Sequence, residues 1–166
     1  WFEKLEQKYR NKHMEFLTTI KRPVKLKYRI LKTSQKAVLM ADIVKQNVKM
    51  DAQVIIFTNT RKNTRKRALQ ILKRLTKARV NISGDILKGK KLQDYFLQLK
   101  LEKFDNDKIK LIENGICYHH AGLKTSEKKR IEEAFRKGII KVLCTTTTLS
   151  VGVNLPARAV ILDDFR

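Results

Sequence analysis

The stretch Cys117–Cys144, CYHHAGLKTSEKKRIEEAFRKGIIKVLC, decides the fold. It opens inside a short apolar run, GICYHH, that is too brief for a helix and suits a strand. Gly122 marks a turn, Thr125 has the side chain of a helix N-cap, and Ile131, Ala134 and Phe135 recur at the spacing of one helical face. Gly138 fits the position just past a helix end, where a left-handed backbone closes the last turn. A second apolar run, IIKVLC, begins directly after it. Strand, helix and strand joined by such short turns form a parallel pair with a right-handed crossover.

The same pattern continues in both directions. VIIF, Val54–Phe57, is a continuous apolar run of the kind that marks a strand buried on both faces, and AVIL, Ala159–Leu162, is another. Ahead of VIIF a helix starts at Ser34, with Ala37, Met40, Ala41, Val44 and Val48 as its stripe. Behind it, TRKNTRKRALQILKRLTKAR puts Ala68, Ile71, Leu72 and Leu75 on one helical face and Lys62, Lys66, Lys73 and Lys77 on the other. VKLKYRI alternates Val24, Leu26, Tyr28 and Ile30 with basic residues, as a half-exposed strand does. Residues 1–20 make a charged helical lead-in that Arg22-Pro23 stops. In residues 80–114, Gly84 and Gly89 signal turns, while Leu92, Tyr95, Phe96 and Leu99 stand at helical spacing with core packing as their simplest role. The expected fold class is α/β, a parallel β-sheet flanked by helices on both faces.

Composition narrows the partners. Among 166 residues, 38 Lys plus Arg face 16 Asp plus Glu, a net charge of +22. An excess of this size favours a polyanion, because a basic surface concentrates phosphates and releases their counterions on binding. The competing explanation is a lysine-rich surface that is merely well solvated. For the middle of the basic helix, where residues 52–84 contain no acid, solvation is the preferred account. Cys117 and Cys144 lack a second pair for a metal pattern and fit core thiols in a reducing compartment, so the protein is expected inside the cell, in cytoplasm or nucleus. No apolar run approaches a membrane span. A start at Trp1 without methionine suggests a piece of a larger polypeptide.

Ligands of parallel sheets bind beyond the carboxyl ends of the strands. That rule selects Thr58–Arg61, His119–Leu123 and Thr145–Asn154, all on one edge. Adjacent histidines on an extended chain point to opposite sides. One is therefore expected inside and the other at the ligand edge, and with no third ligand no metal is expected. The four threonines Thr145–Thr148 offer hydroxyls and N–H groups to phosphate, or simply end a threonine-rich strand. Gly152 permits close backbone approach, and Asn154 supplies a donor and an acceptor. Thr60, Arg61 and the first free N–H groups of the basic helix suit a phosphate.

HHAGL followed at this spacing by TLSVGVNLPA closely resembles the second RecA-like domain of superfamily-two DExH helicases, in particular the Ski-like class. VIIFTNTRKNTRKRA looks like the motif that opens that domain, and RPVKL resembles the entry segment from the first domain. The resemblance covers residues 22–163 in arrangement. It implies a RecA-like domain over 23–166, a lead-in at 1–22 and a variable helical insertion at about 80–114. By the same resemblance Thr60, Arg61, His120, Gly122, Thr146 and Thr148 contact the nucleic-acid backbone, and Gly152 and Asn154 face ATP. Walker A, the DExH box and the arginine motif are absent, so no catalytic residue is assigned and this chain is not expected to hydrolyse ATP by itself. ATP and Mg2+ would be bound mainly by a first RecA-like domain of the same polypeptide. The other implied partner is single-stranded or partly duplex DNA or RNA, and no membrane is involved. Two rivals remain: a non-catalytic basic nucleic-acid-binding module and a protein scaffold, both on the same fold.

Overall fold

The structure, a computed structural model, describes residues 30, 33–80, 105–147 and 155–163. Its elements lie in the second of two compact units, residues 33–166. In chain order they are α1 (Lys36–Val48), β1 (Val54–Thr58), α2 (Arg61–Lys77), α3 (Asn106–Glu113), β2 (Ile116–His119), α4 (Thr125–Arg136), β3 (Val142–Thr146) and β4 (Ala159–Leu162). The four strands form one parallel sheet in the order β2-β3-β1-β4. Val54 pairs with Val142 on one side and Ala159 on the other.

Period-two alternation divides the strand residues between two cores. Val54, Ile56, Ile116, Tyr118, Val142 and Cys144 meet Met40, Ala41 and Val44 of α1 and Ala68, Ile71, Leu72 and Leu75 of α2. On the opposite face Ile55, Cys117 and Leu143 meet Ile109 and Ile112 of α3 and Ile131, Ala134 and Phe135 of α4. Helices therefore cover both faces, and this is why VIIF and VLC carry no polar alternation. On β4 cover is incomplete, with Val160 and Leu162 exposed on the α3/α4 face. Cys117 and Cys144 are buried, free and on opposite faces, so they cannot bond to one another. Burial pushes the Cys117 thiol up to about 12, which leaves it unreactive.

Local chemistry sets the element ends. Gly138 has φ 73. Its N–H donates to Phe135 O and that of Ile139 to Ala134 O, each at 2.9 Å, which is the double closure of a Schellman turn. The start of α4 differs from expectation: Thr125 is the first helical residue and Lys124 holds the cap position. A lysine side chain has no acceptor, so the capping falls to Glu127, whose Oε2 accepts from the Lys124 N–H at 3.1 Å. Helix α3 falls within residues 80–114, where the sequence pattern showed helical spacing only at Leu92–Leu99. It is capped by Asp105, whose Oδ1 accepts from the Lys108 N–H at 3.0 Å. The lead-in, Val24–Tyr28 of the expected VKLKYRI strand, and Leu92–Leu99 fall outside the described residues.

Phe135 is fully buried between α4 and the sheet. Phe135→Ala is expected to lower stability by about 3–5 kcal/mol in equilibrium urea unfolding, whereas Val160→Ala on the open face of β4 should stay within about 0.5 kcal/mol.

Candidate nucleic-acid interface

Because all four strands are parallel, their carboxyl ends share one edge. Register aligns them further. Thr58 stands opposite Thr146, His119 opposite Thr145, and the Asp163 N–H donates to Phe57 O at 2.8 Å. The loops after β1, β2 and β3 thus leave the sheet at nearly one level.

The β1–α2 loop is held by its own hydroxyls. Thr58, 1% exposed, donates to Thr60 O at 3.2 Å. Thr60 is extended (φ −135, ψ 153) and its Oγ1 accepts from the Asn63 N–H at 3.2 Å, which makes it the N-cap of α2. Asn63 Nδ2 donates to Asn59 Oδ1 at 2.8 Å, and the Thr64 hydroxyl to Arg61 O at 2.7 Å. Thr60 therefore serves the turn with its side chain. Arg61 stands exposed at the positive end of a 17-residue helix whose first turn holds no acid.

The two histidines separate as alternation requires. His119 is 4% exposed, with Nε2 3.1 Å from Glu132 Oε1 on α4. His120 is half-buried at the edge, its ring stacked on that of Tyr118 with centroids 6.0 Å apart and 20° between planes. Burial pushes the His120 ring below its ordinary pKa, and the charges of Arg61 and Lys108 push it further. His119 is also lowered: burial outweighs the upward pull of Glu132. Both rings are therefore neutral near pH 7.

Gly122 brings the pieces together. A Cβ built on it would lie 3.0 Å from Arg61 Nη1 and 3.2 Å from His120 Nδ1. The glycine thus sits directly beneath a guanidinium and beside an imidazole, and its missing side chain lets the α2 start and the β2–α4 loop close on one another. Three of the residues singled out in the sequence, Arg61, His120 and Gly122, form one exposed cationic corner with Thr60 next to it. Thr146 lies beside Thr58 and is 9% exposed, offering little surface. Thr145 is fully buried and donates to Thr146 O at 3.1 Å. Thr148, Gly152 and Asn154 fall outside the described residues.

Several polar residues at this edge carried no sequence signal. Arg67 Nε donates to Asp163 Oδ2 at 2.7 Å, a pair only 18% and 4% exposed. Tyr118 OH donates to Asp105 Oδ2 at 3.1 Å, Arg65 pairs with Asp107, and Lys108 pairs with Glu127 at 2.8 Å. Each joins residues far apart in sequence, where periodicity is silent. Further along α2, Lys66, Lys73 and Lys77 are exposed on the outer face, in keeping with a solvated surface.

This edge and sheet can be compared with known proteins. Residues 95–166 match the helicase conserved C-terminal domain. The chain is similar to the ATP-dependent DNA helicase Hel308 of Methanocella arvoryzae, 33% identical over 128 residues, which are 77% of this chain and 16% of the relative. It is similar as well to the Helicase POLQ-like of Caenorhabditis elegans, 35% identical over 130 residues, 75% of this chain and 13% of the relative. In the Hel308 of Aeropyrum pernix identity reaches 58%, over 55 residues. The chain thus spans a minor part of the helicases it matches. The crystal structure of the DUF1998 helicase MrfA bound to DNA and AMPPNP superposes with a TM-score of 0.48 at 17% identity, over 78% of this chain and 14% of that one.

The lowered histidines make stability depend on pH in a definite direction. Their folded pKa values lie below the ordinary 6.5, so below that pH the unfolded chain binds more protons than the folded one. The stabilisation is complete above 6.5 and is lost as pH falls toward the folded values. A urea midpoint that declines through this window in the wild type, and declines less in His119→Gln/His120→Gln, is the expected result.

Proposed function

We propose that this chain is the second RecA-like motor domain of an ATP-dependent nucleic-acid helicase of the DExH, Ski-like class, and that its strand-end edge grips one strand by the phosphate backbone. The observation that carries this reading is the corner formed by Arg61, His120 and Gly122 at the start of α2. There a guanidinium, an imidazole and open helix N–H groups converge on a space that only a glycine leaves free. Such a corner suits a phosphate. Similarity to proteins named DNA helicases favours DNA over RNA as the strand. Contacts of this kind read the backbone and not the bases.

In this account Thr60 positions Arg61, while Thr146 and Thr148 add contacts farther along the strand. Gly152 and Asn154 face the nucleotide across the cleft to a first RecA-like domain. Among the described residues of the strand-end loops, the acid is Asp163, and Arg67 occupies it. The described part of these loops suits phosphate oxygens, and in this reading Mg2+ is held mainly by the first domain. A bound nucleotide supplies the phosphate whose hydrolysis separates two states of the cleft. The residues of this chain couple that state to strand grip, because the threonine loop touches both ligands.

Two measurements check the grip. Arg61→Ala should weaken binding of single-stranded DNA and lower the slope of log affinity against log salt by roughly 0.7, the loss of one phosphate. Gly122→Ala should weaken binding too, because the added methyl would crowd both Arg61 Nη1 and His120 Nδ1 and shift them from the corner. For the motor, the full-length protein should hydrolyse ATP faster with single-stranded DNA present. Asn154→Ala should reduce that stimulated turnover and leave strand binding intact. No ATP hydrolysis under any condition, with strand binding preserved, would favour the non-catalytic binding module.

A further inference from the structure

Lys108 is a cation with 4% of its surface exposed, an arrangement that persists only when a partner and a purpose offset the lost hydration. Its surroundings suggest the purpose. Lys108 Nζ lies 2.8 Å from Glu127 Oε1 and 5.1 Å from the centroid of the Tyr118 ring. Tyr118 is the ring on which His120 stacks, and its hydroxyl is fixed by Asp105, the cap of the helix that carries Lys108. The second oxygen of Glu127 accepts from the Lys124 N–H. The loop from His120 to Lys124 is thus held at its first residue through Tyr118 and at its last through Glu127. One ammonium group touches both holds.

We propose that Lys108 is a positioning residue for the strand-gripping loop, fixing both ends of His120–Lys124 so that Gly122 stays under Arg61. This rests on the strand-gripping role proposed above. Lys108 itself is too buried to meet a phosphate, and it acts through Tyr118 and Glu127. The loop has one internal backbone bond, from the Leu123 N–H to His120 O at 3.1 Å, so its placement depends on these outer holds. The cation over the Tyr118 ring and the imidazole stacked on that ring link Lys108, Tyr118 and His120 through one aromatic side chain. The geometry explains why a lysine occupies a core position of α3 where the pattern calls for an apolar residue.

The test uses the full-length protein, titrated with a fluorescein-labelled single-stranded DNA at several salt concentrations, with urea unfolding measured in parallel. Lys108→Met keeps the stem and removes the charge. It should raise the half-saturating DNA concentration by about tenfold, as a small misplacement of binding groups does, and leave the salt slope unaltered because no phosphate contact is lost. Glu127→Gln retains an acceptor for the Lys124 N–H and should cause a smaller rise at the same slope. The double variant should bind no worse than Lys108→Met alone, since both act on one hold. A residue that serves stability only would lower the urea midpoint and leave DNA affinity of the folded variants at the wild-type value, which overturns the proposal. A slope reduced by about 0.7 overturns it as well, by making Lys108 a phosphate contact. Should Lys108→Met fail to fold, Glu127→Gln decides alone. Wild-type protein that binds no DNA refutes the strand-gripping function itself, whereas equal binding by wild type and folded variants refutes the positioning role of Lys108.

Discussion

Parallel pairing of β1 between β3 and β4 is the constraint on which the rest of the structure depends. Antiparallel pairing of any of these strands would send its loop to the far edge. With Val54 set against Val142 and Ala159, the chain must return to the same side of the sheet after every strand, and α2 and α4 must cover the two faces. Thr58, His119 and Thr146 then end their strands together. A cationic corner arises from residues 59 positions apart, Arg61 and His120, with no direct bond between them.

Energetics at this edge follow from burial. Thr58, Thr64 and Thr145 are almost fully buried, and each hydroxyl donates to a backbone carbonyl nearby, so their desolvation is answered locally. His119 is kept neutral by burial and set against Glu132. Glu127 would be raised by burial, but the Lys108 ammonium and the Lys124 N–H hold its carboxyl below the usual range. Polar groups here are thus used to fix loops, while Arg61 stays exposed at the start of α2.

Much of this was legible in the sequence, for physical reasons. Short apolar runs such as VIIF have few alternatives to a doubly covered strand, and the α1, α2 and α4 stripes matched the residues that pack. The strand-end rule alone brings Arg61, His120 and Gly122 to one edge. No stripe marked α3 itself within the helical segment expected at about 80–114, because it has only two turns and its buried set is Lys108, Ile109, Leu111 and Ile112. A lysine in a core position breaks the stripe that would reveal the helix. The Arg67–Asp163 pair and the Tyr118–His120 stack escaped for different reasons. The first spans 96 residues of chain, and the second depends on how the chain bends after β2. Thr60 was legible as a residue of the site, but its hydroxyl caps α2 instead of pointing outward.

The most direct measurement of the central claim is amide hydrogen exchange of the full-length protein with and without single-stranded DNA. Strand binding at the carboxyl edge of the sheet should slow exchange at 59–63 and 121–123 and leave 51–53 and 138–141, on the opposite edge, unchanged. Protection confined to the opposite edge, or strand binding that leaves 59–63 and 121–123 unprotected, would contradict it.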